Sequence, residues 1–388
     1  MKPIAVYVHI PFCTVKCGYC DFNAYAGMDA LKGDYAAAVE RELGGYEAVL
    51  GQRRVITIGL GGGTPGEMDP RQIGGIIGAV RAAAAVDPGA EVSMEANPGT
   101  STVEHLRGFR RAGVTRISLG VQSFDAAELA FLDRIHSPEA AAASVAMARS
   151  AGFESVGIDV IYGLPGQDPA TWRRSLERAI FLRPDHVSAY ALTVEEGTTL
   201  GRRVQEGDVA APDPDTAAEM YDLASDLLDA AGYHQYEISN WARPGHESRH
   251  NQVYWTDGDY LGIGAGAHGY LDGERYENIA HPRSYVAAIT TASAASPRPA
   301  VANAYRPSPE MAMADWFMLA LRRMEGFAPE AFAAKFGVSI QTVLGRTLEE
   351  CRGAGVLERD GHIRLSRRGR LLHGEVTARA MAELGTVG

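Results

Sequence analysis

Six short runs rich in β-branched and aliphatic residues, separated by longer stretches of helical spacing, leave few folds open to this chain. The runs cover 5–10, 55–60, 91–95, 115–120, 155–161 and 186–191, and the helical stretches 34–50, 70–85, 102–112, 138–151 and 168–181. A strand, a crossover helix and another strand at this spacing pair in parallel. The first half of the chain is therefore an α/β unit, either a (β/α) barrel or a doubly wound open sheet, and periodicity does not choose between them.

The alternation stops after a Pro/Asp-rich joint at 211–215 and a helix at 216–231. Residues 233–285 are rich in Gly, Tyr, His and Asn without helical spacing, which predicts loops and short strands. The Ala/Ser/Pro-rich stretch 291–309 reads as a linker. Beyond it come helices at 311–323, 329–336 and 339–354, then a hairpin at 356–365 turning on Asp360-Gly361, a winged-helix outline. The expected units are 1–232, 233–290 and 305–388.

With 388 residues, 46% of them hydrophobic and 22% charged, the chain is long enough for two or three domains with ordinary cores. No apolar run approaches the roughly 18 residues of a membrane span. No signal-peptide pattern precedes the first strand, so a cytoplasmic protein is expected, with at most peripheral membrane contact. Thirty-seven Lys+Arg against 48 Asp+Glu leave a net charge of −11, which argues against general attraction to nucleic acid. The cluster Arg364, Arg367, Arg368 and Arg370 on the wing would be the exception, and it reads more simply as a solvated face.

Three of the four cysteines, Cys13, Cys17 and Cys20, fall within eight residues directly after the first strand; only Cys351 lies elsewhere. This is no disulfide framework. Three thiolates on one loop can hold three irons of a [4Fe-4S] cluster and leave the fourth open to a small-molecule ligand. A Cys17/Cys20 redox pair, or a zinc site completed by Cys351 or a histidine, are the alternatives, and neither uses the three-residue spacing between Cys13 and Cys17.

Tyr7-x-His9-Ile10-Pro11-Phe12-Cys13-x3-Cys17-x-Tyr19-Cys20 resembles the cluster loop of radical S-adenosylmethionine (SAM) enzymes, in the branch around oxygen-independent coproporphyrinogen III oxidase. The resemblance implies a partial (β/α)6 barrel, a C-terminal winged-helix-like α+β domain that caps it, a [4Fe-4S] cluster on Cys13, Cys17 and Cys20, and SAM on the open iron. By the same resemblance Glu95, Gln122, Arg134 and Asp159 match SAM-binding positions, and Tyr7, Tyr19, Gly62, Gly63, Thr64 and Ala191 match further contacts. The chain's own pattern agrees, since Glu95, Gln122, Asp159 and Ala191 fall at or near strand ends, where barrels collect their chemistry. Gly61-Gly62-Gly63-Thr64-Pro65 is no P-loop, lacking the Gly-Lys-Ser/Thr ending.

Two departures separate the chain from the oxidase pattern. Phe22 stands where the oxidase has a further cysteine, and no long extension precedes Tyr7. Both resemble the HemW family, which implies haem as cargo, apoproteins that accept it and an electron donor. A second similarity to that family is His250-Asn251-Gln252-Val253-Tyr254-Trp255: an imidazole can ligate haem iron and Tyr254 and Trp255 can stack on a macrocycle. A core histidine bonded to Asn251 beside packed aromatics is the plainer reading of the same residues. The expected function is haem binding and delivery. Its rivals are oxidative decarboxylation of coproporphyrinogen III and, resting on the wing alone, a cluster-sensing DNA-binding regulator. Gly262-x-Gly264-x-x-Ala267 lacks a surrounding βαβ unit and reads as close backbone packing.

Overall fold

The computed structural model describes residues 1–293 and 298–386. Strands β1 (Lys2–Ile10), β2 (Arg53–Gly62), β3 (Ala85–Ala96), β4 (Arg116–Gln122), β5 (Ser155–Tyr162) and β6 (His186–Ala191) lie side by side in chain order, all parallel. A doubly wound sheet would reverse its order partway. Unreversed order winds in one direction, so the six units form the partial barrel that the resemblance implies.

Alternation sorts the side chains. On β1, Val6 and Val8 face outward into a core shared with the helices, whereas Tyr7 lines the lumen. Ile58 and Leu60 on β2, and Val92 and Met94 on β3, join that core, and full burial of each such side chain contributes about 1.5 to 3 kcal/mol. The crossover helices begin on side-chain caps: Asp69 closes a capping box with Gln72 on helix Pro70–Ala83, and Ser137 and Asp168 cap Pro138–Ser150 and Pro169–Phe181. The lumen is polar, with Ser118, Asp159 and Ser188 turned into it.

Both edges of this sheet are extended by the segment after residue 232. Strands β7 (His234–Glu237) and β8 (Asn240–Ala242) run antiparallel beyond β6. On the other side β9 (Tyr260–Ile263) lies parallel to β1, followed by antiparallel β10 (His268–Leu271), β11 (Glu274–Asn278) and β12 (Val301–Tyr305). Two expectations change here. The stretch 291–309 is not all linker, because 301–305 pairs with β11; residues 294–297 lie outside the described residues. The segment 233–285 also carries a helix, Arg249–Trp255, capped by Ser248, and a second, Pro282–Thr291, runs on from it.

Helix Arg249–Trp255 plugs the end of the barrel where the strands begin. Its first backbone N–H groups, at Arg249 and His250, donate to Glu91 at 3.3 and 3.0 Å, and Arg116 at the start of β4 donates to the carbonyl of His246 at 2.8 Å. A methyl group at Gly59 would overlap the His250 ring, so a bare backbone is what admits the imidazole into the lumen.

Helices Pro309–Leu321, Pro329–Phe336, Ile340–Gly353, Arg367–Leu371 and His373–Leu384 enclose a second core around Phe317, Phe332, Leu344 and Leu348. The expected hairpin at 356–365 is reduced to the bridge Leu357–Leu365, with Ile363 bridging to Phe327. This unit docks through Arg322 on Glu237 at 2.8 Å, Asp315 on Arg275 at 2.9 Å and Arg367 on Asp222 and Asp226 at 2.5 and 2.7 Å. Arg370 donates to Gln235 at 2.8 Å and Arg364 pairs with Asp360. Three of the four arginines that suggested DNA contact are thus spent inside the molecule. Among the described residues no helix is long and apolar enough to cross a membrane.

Candidate functional site

At the other end of the barrel, where the strands finish, a cavity of about 400 Å³ opens. Cys13, Cys17 and Cys20 line it, all free and partly accessible. Their loop is tied on both sides: Gly18 N–H donates to Asp133 at 3.0 Å, Cys20 N–H to the Cys17 carbonyl at 3.1 Å, and Cys13 N–H to the Tyr25 carbonyl at 3.1 Å. Among the described residues no three His, Cys, Asp or Glu side chains converge on a point that would hold a single metal ion. Cys351 is buried in the core of the C-terminal unit, away from the cavity, so a zinc site closed by it is not formed. Thiols spread around a cavity suit a polynuclear cluster, in which each thiolate takes its own iron. Burial pushes the Cys13 thiol up to about 11, against a lowering contact from Thr64 at 3.3 Å, so iron must displace its proton on binding.

Nine of the ten expected SAM positions line the same cavity: Tyr19, Gly62, Gly63, Thr64, Glu95, Gln122, Arg134, Asp159 and Ala191. Each has a structural reason to be there. The register shift between Gly120 and Gln122 at the end of β4 puts Gln122 at φ +67°, a bulge that re-aims its amide into the cavity. Gly62 and Gly63 leave room for the His9 ring and the Phe12 backbone, which a Cβ would strike. Asp159 is held by Ser118, whose hydroxyl donates to both carboxylate oxygens at 2.9 and 3.0 Å.

Arg134 follows a left-handed residue, Asp133 at φ +52°, and its guanidinium donates to the Gly120 carbonyl at 2.6 Å and Asn97 at 2.5 Å, with Nη1 3.6 Å from Cys17 Sγ. Its Nε is buried without a partner. A buried cationic donor left open beside three thiols fits a ligand carboxylate. Asn97, which sequence reasoning did not single out, joins Arg134 to Thr64 through a 2.9 Å bond from its Nδ2; its place in Met94-Glu95-Ala96-Asn97-Pro98, two residues past Glu95, was the available signal.

Burial, then the charge of Asp159, raise the Glu95 carboxyl to about 7, against one lowering bond from Gly62 N–H at 3.2 Å. Burial likewise raises Asp159, opposed by Ser188 and Ser118. Two acids sharing a lumen do not both ionise easily.

The tenth position, Tyr7, lies lower. It faces a second cavity, of about 170 Å³, and its hydroxyl bonds His9 Nδ1 at 3.0 Å. His250 and Tyr254 line this lower cavity too, together with Glu95 and Asp159, which border both. Both His250 nitrogens are engaged, Nδ1 with Thr57 Oγ1 and Nε2 with Tyr254 OH, each at 2.9 Å; the expected partner Asn251 is not among them. Burial lowers its imidazole to about 4, so it is neutral at pH 7. Trp255 borders neither cavity and stacks instead against Arg322, 4.4 Å from its ring centre.

Residues 7–179 match the family model of the radical SAM superfamily, and 308–372 that of the HemN C-terminal domain. The chain is 45% identical to heme chaperone HemW of Mycobacterium tuberculosis over 295 residues, 75% of this chain and 76% of that protein. It is 34% identical to heme chaperone HemW of Bacillus subtilis over 384 residues, 98% and 100% of the two chains, and 40% identical to that of Escherichia coli over 74% and 76%. Among solved structures, coproporphyrinogen III oxidase (HemN) of Escherichia coli superimposes with a TM-score of 0.84 at 23% identity, over 98% of this chain and 90% of that one, which establishes a shared fold. With a radical SAM barrel, a HemN-type C-terminal unit and relatives alike along nearly the whole chain, this protein belongs to the HemW family of the radical SAM superfamily.

Proposed function

We propose that the protein binds haem and passes it to acceptor apoproteins, with a [4Fe-4S] cluster on Cys13, Cys17 and Cys20 and SAM in the adjoining cavity. The observation that carries this reading is the set of three free thiols on one cavity with Phe22, not a fourth cysteine, beside them. The family's named relatives are heme chaperones. When bound, the cluster supplies an iron open to the amino and carboxylate groups of SAM, and an electron drawn from an external donor.

The chain's own residues bind and orient. The free Nε–H of Arg134 receives the ligand carboxylate, Thr64 steadies the Cys13 thiol, and the backbone at Gly62 and Gly63 allows close approach. Asp159, pinned by Ser118, and Glu95 accept from ribose hydroxyls or the ligand ammonium. Tyr7, His250 and Tyr254 line the floor of the lumen below this, and the engagement of both His250 nitrogens by Thr57 and Tyr254 supports a structural role for that residue over iron ligation. The working units are 1–232 for the barrel, 233–290 for the segment that flanks and plugs it, and 305–388 for the C-terminal domain, in a cytoplasmic protein with at most peripheral membrane contact.

The test is direct. Anaerobically reconstituted protein should form a stable complex with haemin, release it to an apo-cytochrome, and leave coproporphyrinogen III unconverted when supplied with SAM and reductant. Turnover to protoporphyrinogen IX well above a Cys17→Ala control would replace this reading with the oxidase.

A further inference from the structure

Large apolar side chains that stand exposed in a folded protein are usually scattered singly; grouped around a cavity, they mark a binding surface. Among the described residues nine are exposed, and three of them, Val15, Phe22 and Tyr190, line the cluster cavity. Phe22 is the most open of the three, at 62%.

Its exposure is built into the loop. The next residue, Asn23, is anchored through both ends of its side-chain amide and through its carbonyl: its Nδ2 donates to the carbonyls of Ala265 and Ala280 at 3.0 and 2.9 Å, its Oδ1 accepts from Tyr25 OH at 2.9 Å, and its backbone carbonyl bonds His9 Nε2 at 2.9 Å. A side chain at Gly266 would strike the Asn23 amide, so the glycine-rich stretch 262–267 serves as the seat of this anchor. The Phe22 carbonyl is itself held by Ala24 N–H at 2.7 Å and by Lys16 Nζ at 3.1 Å. With its backbone fixed and its neighbour pinned inward, Phe22 stands exposed at the cavity rim.

We propose that Phe22 is the platform on which the porphyrin face of haem stacks, at the rim of the cluster cavity, with Lys16 pairing a propionate. The proposal rests on the haem-binding reading above and gives its cargo a site. A flat aromatic macrocycle suits a rigid exposed ring, and the Lys16 ammonium is held against the Phe22 backbone. Asp21 and Glu195, lining the same cavity, repel propionates and leave Lys16 to set the orientation. The lower cavity cannot compete. At about 170 Å³ it falls short of the roughly 300 Å³ at which ligand pockets begin, and both nitrogens of its imidazole are taken.

The experiment titrates haemin, and separately metal-free protoporphyrin IX, into cluster-loaded full-length protein, read by the Soret band and by porphyrin fluorescence. Phe22→Ala should weaken both probes about tenfold, because stacking does not need the iron. Lys16→Ala should weaken both about threefold, with the loss fading at high salt. His250→Gln should leave both affinities unchanged. Cluster absorbance and melting temperature of each variant confirm that it is folded and loaded. Unchanged binding in Phe22→Ala, or loss of haemin with retention of protoporphyrin IX in a folded His250→Gln protein, would overturn the platform while leaving haem binding intact. Failure of the wild type to bind either probe would overturn the haem reading itself.

Discussion

The two ends of this barrel are made from the same six strands and treat their polar groups in opposite ways. Where the strands finish, thiols stand free, Arg134 keeps a buried donor unpaired, and Glu95 and Gln122 face open space. Where they begin, His250 spends both nitrogens, Glu91 accepts two backbone N–H groups, and the fully buried Glu237 accepts from Ser239, Asn240 and Arg322. Exceptions at the closed end, among the described residues, include His186 Nδ1, Asn240 Oδ1 and Trp255 Nε1, each without a partner. Polar groups that satisfy one another close a fold, and groups left waiting mark where a ligand is to come. Changes at the open end should therefore cost cofactor and spare stability, and changes at the closed end should do the reverse.

The sharpest contrast is Cys17→Ala against Cys351→Ala. Losing one of three thiolates leaves an iron without its soft ligand, so the brown chromophore formed on anaerobic reconstitution should be abolished in Cys17→Ala and kept in Cys351→Ala. Cys351→Ala should instead cost about 1 kcal/mol by emptying part of a packed core. A cluster that depended on Cys351 would erase the distinction.

Arg322→Ala is the largest expected loss at the closed end. Arg322 grips Glu237 through Nε at 3.1 Å and Nη2 at 2.8 Å and covers the Trp255 face. Removing it strands a buried carboxylate, a change worth about 3 kcal/mol in denaturant titration. The cluster spectrum should not move; if it does, the C-terminal unit reaches the open end. His250→Ala should follow at about 2 kcal/mol, since Thr57 and Tyr254 each lose a buried partner. Its cluster should again load normally.

The contrast between the two ends also explains what could be read in advance. Four of the six barrel strands begin and end within two residues of their sequence positions, and β1 starts three residues early, because outward-facing Val, Ile and Leu alternate with lumen-facing residues at a period that sequence displays directly. β3 runs longer, from Ala85, past a Pro88-Gly89 pair that resembles a break. The cysteine spacing and the strand-end carboxylates were legible for the same reason, being local. Helix Arg249–Trp255 was not, since seven residues are too few to show a helical period, and its fit depends on Gly59, nearly two hundred residues away. Tyr7 was expected at the cofactor and lies one step below it, because position along a strand, not face, separates it from the cavity rim. The unpaired Arg134 donor was likewise invisible: whether a group finds a partner is decided by the packing of distant segments.

Glu95 borders both cavities, and it offers the smallest effect and the finest test of where one end stops. Its carboxyl, ordinarily near 4.5, is raised to about 7 by burial and by Asp159. Between those values the folded protein holds a proton that the unfolded chain has released, so its contribution to stability falls as pH rises through this window. A glutamine carries no such dependence. The melting temperature of Glu95→Gln relative to wild type should therefore rise between pH 5 and pH 8. The gain should be only about a degree or two, because the carboxyl is open to cavity water, which screens the cost of ionising it. The same variant should weaken the effect of SAM on the electron paramagnetic resonance signal of the reduced cluster, through loss of a charged acceptor. If the two pH curves run parallel while the SAM effect falls, Glu95 is ionised throughout and belongs wholly to the open end. If the curves diverge and SAM is indifferent to the change, Glu95 belongs with the closed floor, and the boundary between the two ends lies one residue layer higher than the cavities suggest.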